Sequence, residues 1–167
     1  MITLLSTGSN AHGQLGNSTL DDSHLFQPCS FAINNPPGNS LPLGTSAILS
    51  VASGANHTLL LLELCDQSGL KRRELWGCGD GRAGQLGRKY KEGDGCSETT
   101  ARFRKIELCL EETGLAGYSF RLISASWETS YGVLSCSGKG DVVISMGSDE
   151  FGDLGVGVGG GSLGKDF

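Results

Sequence analysis

Residues 79–84 contain glycines at a spacing that is typical of cofactor-binding loops. Their sequence, Gly-Asp-Gly-Arg-Ala-Gly, matches the G-x-G-x-x-G pattern and follows an apolar strand. A dinucleotide site also requires a helix that opens at the third glycine and an acidic residue about 20 positions later. Residues 85–87, Gln-Leu-Gly, begin no amphipathic helix. The equivalent segments elsewhere in the chain lack the middle glycine. We therefore interpret these glycines as turn residues of a repeat and predict no cofactor.

Histidines and cysteines are the other side chains that could bind a metal ion or act as nucleophiles. The sequence has no C-x-x-C pair and no cysteine and histidine at zinc-finger spacing. Its Gly-x-Ser-x-Gly match, at residues 160–164, lies in the glycine-rich end where no strand is expected, so we predict no serine in a nucleophile elbow. His57 lies in a turn between two strands, where its ring can bond the backbone and fix the hairpin. We predict no catalytic residues, no metal site and a non-enzymatic protein, with six structural thiols: Cys29, Cys65, Cys78, Cys96, Cys109 and Cys136.

Trp127 and Glu128 form the pair with the clearest capacity to bind another protein. An aromatic side chain at a turn between strands can anchor a protein–protein interface. The alternative for Trp127 is a core position between sheets, and the sequence does not separate the two. Trp76 lies inside an apolar strand and is predicted to be core. Arg82, in a glycine-rich loop, is the third candidate contact residue.

Positive charge is concentrated in one part of a chain whose net charge is −5. The first 70 residues contain no Lys or Arg, whereas residues 71–105 hold ten of the thirteen bases. We favour solvated loop charge as the explanation, and steering of an acidic partner is the alternative. Aromatic residues rarely interleave with these bases, so direct nucleic-acid binding is not expected.

A repeated turn motif dominates the sequence. Its copies occupy residues 4–16, 75–87 and 143–155, and each has glycines at offsets of zero, five and eight with Leu before the last. A second element, two strands joined by a turn, occurs at residues 48–62 and 122–134. A period of this length indicates stacked structural repeats. The structural repeat glycines are Gly8, Gly13, Gly16, Gly54, Gly79, Gly84, Gly87, Gly147, Gly152 and Gly155.

Short apolar segments separated by Gly, Asn, Asp and Ser predict an all-β fold made of antiparallel four-stranded blades. The glycines supply positive φ or space for close approach, and the Leu of each Gln-Leu-Gly is expected to point inward. Loops are expected at 17–47 and 88–103, and a short turn at 107–113. Strands are expected near residues 2–7, 48–53, 57–63, 73–78, 104–109, 120–125, 129–135 and 141–146.

The apolar runs are short, the longest being Leu59 to Leu62, far below the ~18 residues of a membrane span. The N-terminal residues have no basic region and no secretory apolar stretch. We therefore expect no membrane association and a cytoplasmic or nuclear location.

Residues 8–16, Gly-Ser-Asn-Ala-His-Gly-Gln-Leu-Gly, and residues 52–58, Ala-Ser-Gly-Ala-Asn-His-Thr, resemble the two signatures of the regulator-of-chromosome-condensation repeat. The resemblance implies a seven-bladed propeller of four-stranded blades that acts as a protein-interaction scaffold. The third motif copy departs from the pattern with Asp153 in place of Gln. The second strand element has Ser126 and Thr129 where the first has glycine and histidine.

Within that family, the Ala-Ser-Trp-Glu-Thr-Ser stretch at residues 125–130 is similar to the fungal alpha-tubulin suppressor branch. That likeness implies an accessory protein that binds a small zinc-binding CSL protein in Elongator-dependent wobble-uridine modification of tRNA and in diphthamide synthesis. The family also implies two alternatives: guanine-nucleotide exchange on a Ran-type small GTPase, and an interaction module of chromatin or the ubiquitin pathway.

The length of the chain limits how much of a propeller it can hold. Closed propellers have about four to eight blades, and the 167 residues cover only two to three repeats. We therefore expect residues 1–167 to be one repeat region and favour a fragment of a longer propeller. An open array that needs a partner or further copies is the alternative.

Overall fold

The computed structural model describes residues 2–33, 41–87 and 99–155, and these residues contain nine β-strands. Each strand pairs antiparallel with its sequence neighbour inside one of three sheets, ordered β1-β2, β3-β4-β5-β6 and β7-β8-β9. No helix occurs among the described residues, which confirms the all-β prediction. The strands are β1 (Leu5–Gly8), β2 (Ser23–Pro28), β3 (Thr45–Ser53), β4 (His57–Cys65), β5 (Lys71–Asp80), β6 (Thr99–Ile106), β7 (Ser119–Ala125), β8 (Thr129–Ser135) and β9 (Val142–Gly147).

The sequence repeat assigns each strand a place in a four-stranded unit. Strands β1, β5 and β9 each run into a copy of the glycine motif, so they are equivalent. The middle sheet is then a complete blade, the first sheet holds the third and fourth strands of a blade, and the third sheet holds the first three. The predicted antiparallel four-stranded blade is therefore confirmed by the middle sheet.

Two strands differ from the sequence prediction. Strand β2 lies in the stretch expected to be a loop, and it was missed because its apolar side chains are uncovered: Leu25 and Phe26 are 73% and 70% exposed. With neither face buried, no alternation of apolar and polar residues marks the strand. Strand β6 begins at Thr99 and ends at Ile106, which pairs with Leu75. The expected strand residues 107–109 lie beyond this last pair and outside the sheet.

The leucine run of β4 supplies the centre of the core. Successive side chains of a strand point to opposite faces of the sheet. Leu59 and Leu61 accordingly pack with Phe120, Leu134 and other residues in one cluster. Leu60 and Leu62 pack on the other face in a cluster with Phe31, Phe103 and Trp76. Full burial of each leucine contributes about 1.5–3 kcal/mol to folding. Because its leucines enter both clusters, β4 packs the middle sheet against the structure on both of its faces.

The motif glycines adopt the predicted left-handed conformation. All three glycines of every motif copy have positive φ, from 62° at Gly16 to 128° at Gly147. Gly54 has no such φ, and it serves the other predicted purpose, because a Cβ there would strike the His57 ring and the Ser126 carbonyl. The inward leucine is confirmed at Leu15 and Leu86, which are buried.

Six bases of residues 71–105 lie on strands β5 and β6 and not on loops, so the favoured loop explanation is wrong for them, whereas Arg82 lies in a loop as expected. Lys71 Nζ is 2.9 Å from Glu63 Oε1. Arg72 Nε and Lys105 Nζ are each 3.1 Å from Glu74 Oε1. The bases Arg88, Lys89 and Lys91 lie outside the described residues.

Five cysteines are described, and all are free thiols: Cys29, Cys65, Cys78, Cys109 and Cys136. Cys96 lies outside the described residues. The Sγ atoms of Cys29 and Cys78 donate to the carbonyls of Leu15 and Gln14, each at 3.4 Å. Burial raises the pKa of both thiols. These two cysteines are therefore protonated core residues that pack as small hydrophobes.

Candidate protein-interaction face

The motif loops 9–16, 80–87 and 148–155 and the turns 54–56 and 126–128 lie at one end of the sheets. This follows from strand direction, because the loops continue from the ends of β1, β5 and β9 and the turns from the ends of β3 and β7. We call this end the loop face. Loops positioned by a rigid sheet scaffold are common places for binding residues.

Backbone bonds tie each turn to a motif loop in the same way in two blades. Asp80 N donates to Asn56 O at 2.7 Å, and Ser148 N donates to Glu128 O at 3.0 Å. A third bond crosses between blades, where Ala55 N donates to Trp127 O at 3.0 Å. The loop face is therefore a bonded surface that spans the middle and third sheets.

A hydroxyl bond that repeats along the chain joins successive sheets. Thr58 Oγ1 donates to Gln14 O at 2.8 Å, and Ser130 Oγ donates to Gln85 O at 2.8 Å. Thr58 and Ser130 occupy the same position of the repeat, as do Gln14 and Gln85. The backbone carbonyl of the motif glutamine thus accepts a hydrogen bond from a hydroxyl group in the strand element that follows along the chain.

His57 extends this connection between the middle and third sheets. Its Nε2 lies 2.9 Å from Ser130 Oγ. Because the Ser130 proton is given to Gln85 O, the imidazole Nε2 is the donor and carries the ring proton. Nδ1 is buried with no hydrogen-bond partner among the described residues. Burial lowers the pKa of His57 to about 4, against the opposing effect of the Asp80 charge.

The structural role expected for His57 is correct, but the expected partner is wrong. The ring bonds a side chain 73 residues away and not the backbone of its own hairpin. The hairpin turn is closed by a backbone bond, from Gly54 N to His57 O at 2.9 Å. The sequence could not show this partner, because it lies in the next blade.

A side-chain oxygen closes the first and third motif loops. Asn10 Oδ1 accepts from Leu15 N at 2.9 Å, and Asp149 Oδ1 accepts from Leu154 N at 3.0 Å. The second copy has glycine at this position. There, an ion pair between Asp80 and Arg82 occupies the loop instead, with Arg82 Nη2 at 2.6 Å from Asp80 Oδ2.

Trp127 lies on the loop face and is 68% exposed, so it does not pack between the sheets that the structure describes. Trp76, the other tryptophan, is 5% exposed and is core as predicted. The main chain of Trp127 is held by the Ala55 bond while its side chain faces solvent. This arrangement presents an aromatic side chain to solvent on a backbone that is bonded to the neighbouring blade.

Glu128 and Arg82 lie on the same face as Trp127, in two different loops. Glu128 is half-buried, and its carbonyl accepts the Ser148 amide. Arg82 is exposed and donates from Nε to both oxygens of Asp80. Burial alone would raise the pKa of Asp80, but the bonds from Arg82 hold it below its usual value. The structure thus brings the three predicted contact residues to one face, in two neighbouring blades.

Phe151 is an exposed aromatic residue of the loop face that the sequence reasoning missed. It is 80% exposed and occupies the motif position that is His12 in the first copy and Ala83 in the second. The change of residue type at this position between the motif copies was the sequence signal that could have indicated an exposed contact residue.

No metal site is evident in the described part of the chain, where no three His, Cys, Asp or Glu side chains gather closely enough to hold an ion. Within residues 2–33, 41–87 and 99–155, no helix combines the length and apolarity needed to cross a bilayer.

Comparison with known proteins finds a family that one part of the chain resembles. Residues 3–61 match the family model described as regulator of chromosome condensation (RCC1) repeat. Residues 3–61 are therefore similar to the RCC1 type of repeat. An RCC1 repeat-containing protein of Schizosaccharomyces pombe is 37% identical to this chain over 89 residues, which are 53% of this chain and 19% of the yeast protein.

A solved structure agrees with the fold. The crystal structure of human WBSCR16 superposes with a TM-score of 0.58 at 21% identity, over 91% of this chain and 34% of that one. At this identity the likeness shows the fold alone, which is part of a β-propeller built from antiparallel sheets. The chain spans about a fifth of the yeast relative and about a third of the human structure.

Proposed function

We propose that this chain is a non-enzymatic protein-interaction scaffold that binds its partner through the loop face. The observation that carries the proposal is the exposed indole of Trp127 on a backbone that is bonded to the neighbouring blade. Tryptophan is among the residues most enriched at the energetic centres of interfaces. A contact residue on a fixed backbone also loses little conformational freedom when it binds.

Glu128 and Arg82 add polar contacts around this anchor. Glu128 follows Trp127 directly, and Arg82 reaches the same face from the motif loop of the middle sheet. The partner is a protein, because an exposed aromatic residue with charged neighbours on a broad face suits an interface better than it suits a small ligand. No cofactor is needed for this function.

The partner that we propose is a small zinc-binding CSL protein, in the context of Elongator-dependent wobble-uridine modification of tRNA and diphthamide synthesis. The support is the likeness of residues 125–130 to the alpha-tubulin suppressor branch, since this segment contains Trp127 and Glu128. We expect the protein in the cytoplasm or the nucleus, where cysteines remain as free thiols.

Binding to a purified CSL protein tests this proposal directly. Trp127→Ala should weaken the complex at least about 30-fold, as expected for an interface anchor worth about 2 kcal/mol. Phe26→Ala is the matched control, because Phe26 is equally exposed but lies on β2. Thermal unfolding of both variants should match that of the parent, since neither side chain is buried.

A Ran-type GTPase serves as the second arm of the same measurement. Retention of the GTPase without the CSL protein would replace the proposed partner with the nucleotide-exchange alternative. Equal weakening by Trp127→Ala and Phe26→Ala would contradict the loop face as the binding surface.

A further inference from the structure

A concave surface lies at the opposite end of the sheets from the loop face. It is a groove of about 480 Å³ between the middle and third sheets. Its walls come from the end of β4, the start of β5, the start of β7 and the end of β8. The residues that matter for its chemistry are Glu63, Lys71, Arg73, Ser119, Ser135 and Ser137.

Arg73 places a positive charge in this groove. Its Nη1 donates to the Phe120 carbonyl of the third sheet at 2.9 Å. That bond uses one of the five N–H donors of a guanidinium. Among the described residues, no ion pair joins Arg73 to a carboxylate. The bond to Phe120 therefore fixes the guanidinium across the junction and leaves donors for a ligand.

The carboxylate beside Arg73 is already engaged. Glu63 is the register partner of Arg73, but its Oε1 accepts from Lys71 Nζ at 2.9 Å and from Ser46 Oγ at 3.1 Å. These bonds and the nearby Arg73 charge lower the pKa of Glu63, so it stays ionised. Two cations thus share one anion, and the groove keeps a net positive charge within a chain of net charge −5.

Hydroxyl groups line the other wall. Ser119 and Ser135 pair across β7 and β8, and Ser137 follows in the turn after β8. Ser135 Oγ donates to Asp141 Oδ1 at 2.6 Å. No hydrogen bond of the Ser119 or Ser137 hydroxyl occurs among the described residues, so these two can donate to a ligand.

We propose that this groove binds a phosphate group carried on a side chain of a peptide. A phosphomonoester has three acceptor oxygens and a charge of about −1.5 to −2 at neutral pH. A guanidinium fork matches two of those oxygens, and the ammonium and hydroxyl donors suit the third. The groove volume falls in the range of whole ligand pockets, about 300–1,000 Å³, so it accommodates the modified residue with part of its peptide.

The test is a titration of the full chain with a labelled peptide that carries one phosphoserine, beside its unphosphorylated form and inorganic phosphate. Arg73→Gln should weaken phosphopeptide binding at least about tenfold, the loss expected for hydrogen bonds to a charged group. Arg73→Lys should be intermediate, because it keeps the charge and loses the fork. Trp127→Ala should leave this binding unchanged, which keeps it separate from the loop-face proposal.

Arg102→Gln is the matched control, since it removes one positive charge from β6, where Arg102 Nε bonds Ser18 Oγ outside the groove. Thermal unfolding of Arg73→Gln shows whether loss of the Phe120 bond disturbs the fold. If it does, the affinity of Arg73→Lys for the phosphopeptide tests the site instead. Equal weakening by Arg73→Gln and Arg102→Gln would overturn the site. Equal affinity for the phosphorylated and unphosphorylated peptides, or for inorganic phosphate and the phosphopeptide, would overturn the assigned ligand.

Discussion

The imidazole of His57 and the hydroxyl of Ser130 lie 2.9 Å apart although 73 residues separate them in the sequence. Ser130 passes its own proton to Gln85 O at 2.8 Å. The hydroxyl of Ser130 is therefore the central member of a buried chain of hydrogen bonds that runs from β4 through the third sheet to the motif loop of the middle sheet.

Ser130→Ala should destabilise the protein because it removes both bonds at once. The Nε2 donor of His57 and the carbonyl of Gln85 would remain buried without partners, at a cost of about 2–4 kcal/mol in the free energy of unfolding. Urea unfolding measures this loss. Ser124→Ala, on the exposed side of β7, is the control and should change stability by less than about 0.5 kcal/mol. Similar losses in the two variants would contradict the proposed bond chain.

Acidification should destabilise the protein through His57. Its pKa is lowered from 6.5 to about 4 in the folded state. The unfolded chain therefore binds a proton at His57 below about pH 6.5, whereas the folded chain binds it only below about pH 4. The free energy of unfolding consequently decreases as the pH falls from about 6.5 to about 4. The expected loss between pH 7 and pH 5 is about 2 kcal/mol.

Urea unfolding at the two pH values checks this prediction, with His57→Gln as the control. Glutamine keeps an N–H donor but does not titrate. His12 and His24 are present in both proteins, so their contributions cancel in the comparison. The same pH dependence in parent and variant would show that His57 is not the group responsible.

Gly54→Ala should be far more damaging than alanine at an open glycine. The added Cβ would lie 2.6 Å from His57 Nδ1, would strike the Ser126 carbonyl, and would force two blades apart. Overpacking of this kind costs about 3 kcal/mol. Gly140→Ala is the control, because its Cβ would meet nothing within 4 Å and its φ is not positive. Thermal unfolding that ranks the two variants equally would refute the close approach.

The features that could be predicted from sequence are those that local chemistry determines. The motif glycines need positive φ wherever the loop occurs, and the leucine run of β4 is buried because a strand with two covered faces is apolar throughout. Strand β2 could not be predicted, because neither of its faces is buried and its sequence therefore does not alternate between apolar and polar residues. The setting of Trp127 was undecidable for a related reason, since exposure of a turn residue depends on which blade lies over it.

The hydroxyl partners of Gln14 and Gln85 show a further limit. Thr58 and Ser130 are ordinary strand residues by type, and only the stacking of one sheet on the next gives them buried acceptors. Repeat alignment would have revealed them, since both acceptors occupy one motif position and both donors another.

Strand β4 contributes alternate leucines to the two core clusters, so the clusters share a single wall. A change that loosens one cluster shifts the backbone on which the other is built. We therefore expect the three sheets to unfold together, because a single strand couples the packing of the two apolar interiors.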